Sequence, residues 1–162
     1  MRLPFSSFVN NLIITLNRAT GQLNPIGGWL NVTIFEVACK IAGVEPSVSL
    51  FSALFNITHE NFQNTFRARC NKNILAGKRP NKVPDKRLFK KWFFARWDMA
   101  VGVPHIWTLK DEVKPLPSYT DADVIVADKS LSTLHQEIER HSQPALVYFC
   151  QRGHIGVSGS CL

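Results

Sequence analysis

The sequence predicts a mainly α fold with a small β component. The expected parts are an N-terminal three-helix subdomain, short strands or an aromatic segment in the middle, and a C-terminal helix. Three observations carry this. Apolar residues recur at helical spacing through the first third of the chain. Gly21 with Asn24-Pro25, and then Gly43 with Glu45-Pro46-Ser47, divide that third into three pieces. A further apolar stripe, Val124, Leu131, Leu134 and Ile138, predicts a last helix over about 121–141.

In the first element Phe5, Phe8, Val9, Leu12, Ile13 and Leu16 share one helical face, and Ser6 or Ser7 stands at a capping position. Asn24 can cap the second helix. Pro25 suits its first position, because the N–H that proline lacks would have no intrahelical partner there. That helix carries Ile26, Trp29, Leu30, Ile34, Phe35, Val37, Ala38 and Ile41, and Gly43, which tolerates positive φ, ends it. Val48, Leu50, Phe51, Leu54 and Phe55 give a short third helix, and three apolar faces on short linkers close on one another.

From about residue 57 the helical period fades. Phe62, Phe66 and Ala68 alternate with polar residues, which fits a short strand, with a helix as the alternative. Residues 71–85, with Gly77, Pro80 and Pro84 among lysines and arginines, read as a solvated loop. The run from Leu88 to Trp97 is the most aromatic of the chain and reads as a buried strand rather than a helix face. Pro104, Pro115 and Pro117 break residues 102–120 into loop, and the Gly- and Ser-rich end after the last helix is expected to fray. The expected organisation is a domain over 1–110, with a helical subdomain at 4–56 and a basic and aromatic segment at 60–100. Residues 111–162 then supply a loop, the last helix and a tail.

Of the 162 residues, 45% are apolar, enough for a core of ordinary size. No apolar run approaches the ~18 residues of a membrane span, and the polar interruptions near the N-terminus argue against a signal peptide. An intracellular, soluble protein with reduced cysteines is expected, nuclear or cytoplasmic. The net charge is +7, and its distribution matters more than its size. Arg67, Arg69, Lys72, Lys78, Arg79, Lys82, Lys86, Arg87, Lys90 and Lys91 stand in residues 67–91 against a single acid, Asp85. That segment therefore carries +9, and everything else together is slightly acidic.

The stretch from Arg2 to Phe55 resembles a plant family, the gypsy-type transposase domain. The resemblance rests on Leu3-Pro4-Phe5 with Phe8, Gln22-Leu23-Asn24-Pro25, Trp29, Gly43-Val44-Glu45-Pro46, and Phe51 with Phe55. Further on, Lys90 to Asp98 (KKWFFARWD) is similar to an aromatic segment of the same family, so the likeness extends over residues 2–110. It implies origin in a retroelement reading frame, in a region ahead of or replacing a gag-like protein, and it brings no catalytic residues to carry over. The chain opens at the Leu-Pro-Phe motif, where members of the family have an acidic, hydrophobic region upstream, so a truncated copy is expected.

Several constellations could carry chemistry. Asp98, Asp121, Asp123, Asp128, Glu137 and Glu139 are the carboxylates a two-metal nuclease or integrase centre would draw on, but such a centre needs them to converge on ions about 4 Å apart. Acids spread over a proline-rich loop and a helix read instead as a solvated surface. Cys150, His154 and Cys161 offer three zinc ligands where structural zinc takes four. Cys70 lies among Arg67, Arg69 and Lys72 with no histidine beside it, and Cys39 falls on an apolar helix face as a buried thiol. No catalytic residue, metal site, cofactor or small-molecule substrate is expected.

The basic segment is the strongest functional signal. Its ten cations can neutralise phosphates and release condensed counterions, and Trp92, Phe93 and Trp97 could stack on single-stranded bases unless they are core. The expected function is a non-enzymatic retroelement-derived module that binds RNA or DNA non-specifically through this segment and associates with itself, with no membrane partner. The alternatives are a transposase- or integrase-type fragment with metal-dependent chemistry, and a degenerate copy with no function.

Overall fold

The computed structural model describes residues 5–60, 63–69, 106–109 and 112–140. Over them run α1 (Ser7–Leu16), α2 (Leu30–Ala42), α3 (Val48–Leu54), β1 (Phe55–Glu60), β2 (Gln63–Ala68) and α4 (Asp121–Arg140). The fold is thus mainly α, with one small antiparallel sheet and a C-terminal helix, as the sequence predicts.

Each N-terminal helix begins and ends on local chemistry. Ser6 caps α1 by accepting the Val9 N–H at 3.2 Å, and Asn17 closes it in the left-handed conformation at φ 53°. Asn24 accepts the Gly27 N–H on its side-chain oxygen at 3.0 Å, while its backbone carbonyl takes both the Gly28 and Trp29 N–H groups. This double acceptance makes Pro25–Trp29 a π-helical turn, so the α-helix proper starts five residues later than Pro25 suggests. Gly43 ends α2 at φ 68°, and the Val44 N–H returns to the Cys39 carbonyl at 2.9 Å. Ser47 caps α3 through the Leu50 N–H at 3.2 Å.

The third helix is shorter than its apolar spacing implies. Phe55 already has extended backbone (φ −125°, ψ 144°) and heads β1, not the end of α3. The hairpin register runs from Phe55↔Ala68 to Glu60↔Gln63. Alternation along β2 turns Asn64 and Phe66 inward and leaves Arg67 exposed. The outer edge of β2 is covered: Leu23 forms a parallel bridge to Asn64, the Asn24 N–H donates to the Asn64 carbonyl at 2.9 Å, and Asn31 Nδ2 donates to the Phe66 carbonyl at 2.8 Å.

Five phenylalanines form the centre of the core. The Phe51 ring lies 5.8 Å from Phe8, 5.2 Å from Phe35, 4.5 Å from Phe55 and 4.8 Å from Phe66, centroid to centroid. Those edge-on and stacked geometries suit the ring quadrupoles. The apolar stripe of α4, Ala127, Leu131, Leu134 and Ile138, is buried against α2 and α3 in the same core. The helix expected within residues 111–162 therefore shares its core with the helices expected within 1–110. No helix among the described residues is long and apolar enough to cross a membrane.

Candidate nucleic-acid interface

Of the ten cationic candidates, Arg67 and Arg69 are described. Lys72, Lys78, Arg79, Lys82, Lys86, Arg87, Lys90 and Lys91 lie outside the described residues, as do the aromatic run from Leu88 to Trp97, Cys70 and Asp98. The two arginines mark where the chain leaves the sheet for the basic segment, and their surroundings differ. Arg67 is exposed and stands across the hairpin from Asn56.

Arg69, also exposed, is tied to the end of α3. Its backbone N–H donates to the Leu54 carbonyl at 2.8 Å, and its Nε donates to the Ser52 carbonyl at 2.7 Å. The last carbonyls of a helix lack intrahelical partners and carry partial negative charge, so a cation there is favourable. The same guanidinium lies 4.8 Å above the Tyr119 ring, just before α4 begins. Arg69 thus fastens the root of the basic segment to both α3 and the approach to α4.

Charge is unevenly divided. The described residues hold seven Lys and Arg against nine Asp and Glu, whereas the whole chain is +7. Five of those acids lie on α4. Asp123 caps that helix, accepting from the Thr120 N–H at 2.8 Å and its hydroxyl at 2.9 Å, while Glu137 pairs with Arg140 at 2.8 Å. Fourteen residues of helix separate Asp123 from Glu137 by about 21 Å. Among the described residues no group of three or more His, Cys, Asp or Glu is placed to hold a metal ion. Cys150, His154 and Cys161 are outside that set.

Cys39 is buried between α2 and α4, as its apolar helix face predicts. Burial pushes its thiol up to about 11, a hydrogen bond with Ser130 pulls the other way, and Glu36 and Glu45 add to the rise.

A polar network that the sequence does not announce holds Thr108 against the turn that follows α1. Thr108 receives Arg18 Nη1 on both its carbonyl and its hydroxyl and Gln22 Nε2 on its carbonyl at 2.8 Å. It donates its N–H to Gln22 Oε1 at 3.1 Å and its hydroxyl to the Asn17 carbonyl at 2.8 Å. Arg18 and Gln22 are fully buried. Burial lowers the Arg18 pKa, against the pull of Glu112. Nothing local signals this network, because its members stand some ninety residues apart.

These features define a helical scaffold that carries a strongly basic insertion. Residues 1–59 match the family model described as "Putative gypsy type transposon", so this part of the chain is similar to that family. The match ends within β1, and the likeness of Lys90 to Asp98 to the same family lies beyond it. No curated protein and no solved structure matches the chain.

Proposed function

We propose that the protein is a non-enzymatic module of a gypsy-type element that neutralises nucleic-acid phosphates through residues 67–91 and associates with copies of itself. The observation that carries the reading is the segregation of charge. A net acidic scaffold leads, at an exposed Arg67 and an anchored Arg69, into a segment of +9. Such a contact is sequence-independent and dominated by counterion release.

The test is a titration of single-stranded RNA and DNA at several salt concentrations. Wild-type affinity should fall steeply with salt. Neutralising Lys86, Arg87, Lys90 and Lys91 together to Gln should flatten the log–log slope by about 3, near 0.7 per lost phosphate contact on a single strand. Binding that is missing at low salt, or a slope that the fourfold variant leaves unchanged, removes the nucleic-acid half of the proposal.

A further inference from the structure

The backbone ladder leaves one side of the hairpin open. The Arg69 N–H on the Leu54 carbonyl sets its phase, because bonded pairs recur at every second residue of an antiparallel ladder. Asn56↔Arg67, Thr58↔Thr65 and Glu60↔Gln63 are therefore the bonded pairs, and the N–H and C=O groups of Ile57 and His59 point away from β2. The same phase turns the Asn64 and Phe66 carbonyls of β2 outward, where the Asn24 N–H and Asn31 Nδ2 take them. No such cover meets β1. Among the described residues the backbone N–H and C=O groups of Ile57 and His59 have no partner.

This edge lacks the features that guard an edge left to solvent. From Phe55 to His59 it has no lysine and no proline, and its register with β2 runs without a bulge. Ile57 is half-buried and packs on the core. Two strands alone are marginally stable, and backbone groups beside a core are costly to leave unpaired. A third strand along β1 meets both needs.

We infer that the outer edge of β1 is the docking surface for this chain's own segment Leu88–Trp97, added as a further strand. That segment lies outside the described residues, and three observations select it. It is the most aromatic run of the chain and holds no glycine or proline, a composition that favours strands. The chain is tethered beside the hairpin on both sides of it. Arg69 bonds the residue that precedes β1, and Thr108 bonds Gln22, next to the Leu23 that bridges to β2. The connections are also long enough. Nineteen residues lead from Arg69 to Leu88 and eleven from Trp97 to Thr108, which at about 3.3 Å each reach well beyond the roughly 10 Å width of two strands. The other apolar run outside the described residues, Ala145–Cys150, is shorter and is held on one side only, by α4. Nucleic-acid binding is not needed for this docking, which makes the aromatic run part of the scaffold.

Amide hydrogen exchange of the full-length chain, read residue by residue by NMR, tests the docking. In wild type the Ile57 and His59 amides should exchange about a hundredfold or more slower than open amides, alongside Asn56 and Thr58. Nuclear Overhauser contacts should join them to residues within 88–97. F93P puts a residue without an N–H in mid-segment and should speed exchange at Ile57 and His59 about tenfold or more, while Phe35 on α2 and Leu134 on α4 stay protected. Fast exchange at Ile57 and His59 in wild type would mean an open edge and overturn the docking, as would protection that F93P leaves unchanged. Protection that grows with chain concentration would put a second copy on the edge, and Overhauser contacts to 145–150 would put the tail there; either overturns it. Should F93P fail to fold, the contacts in wild type decide alone.

Discussion

Cys39 shows how a single side chain reports on its surroundings. Its thiol stays protonated to about pH 11 in the folded chain, above the ordinary value of 9.0. Two consequences follow. Native protein should resist alkylation at Cys39 near pH 8, and peptide mapping should find the label there only after denaturation; labelling at the rate of a free thiol would mean that the α2–α4 contact opens readily. The pH dependence has a definite sign. Above about pH 9 the unfolded chain releases this proton while the folded chain keeps it, so the stability contribution, complete below pH 9, is lost as pH rises towards 11. The loss is on the order of 2 kcal/mol, visible as a melting temperature that falls less for Cys39→Ala than for wild type across that window.

At the level of elements, α4 gives the clearest case of a helix legible in the amino-acid pattern. Val124, Leu131, Leu134 and Ile138 repeat at three and four residues, and the observed helix, Asp121–Arg140, coincides with the expected one to within a residue. Capping chemistry makes Ser6, Asn24, Gly43 and Ser47 readable for the same reason, because the signal and its partner lie within one turn. The strand β1 is not readable. Asn56, Thr58 and His59 give it no strong alternation, and the apolar spacing of α3 runs on into Phe55, so only pairing with β2 decides the conformation. Of the candidate interface, the concentration of positive charge is plain in the composition. The anchoring of Arg69 is not, because it depends on Ser52 and Tyr119. Since α4 depends on packing more than on its own propensity, Leu134→Ala, at a fully buried position, should cost about 3 kcal/mol. In thermal unfolding that is a drop of roughly 6–12 °C for a chain of this size, and a loss under ~1 kcal/mol would mean that α4 is not part of the core.

On the scale of the whole molecule, the basic segment interrupts a single packing unit rather than separating two. Before it come α1 to β2, and after it come the Thr108 clamp and α4. Among the described residues the parts after it meet the parts before it at Thr108 on Arg18 and Gln22, at the Lys114 N–H on the Leu16 carbonyl, at Tyr119 under Arg69, and along the α4 stripe on α2 and α3. Buried apolar contact on this scale outweighs the modest entropy of closing the connecting loop, which grows only with the logarithm of its length. Continuity of the backbone through residues 72–91 should therefore be dispensable for the fold. With a specific protease site inserted between Pro80 and Asn81, the cut chain should elute as one species in native buffer with its helical signal kept, and should separate into two pieces only in denaturant. Adding W107S to the cut chain should not release the pieces, because that side chain faces solvent. Leu134→Ala should loosen them, because that one faces the shared core. Pieces that part in native buffer without any substitution would show that α4 docks too weakly to hold the scaffold, and the basic segment would then be a linker between two units.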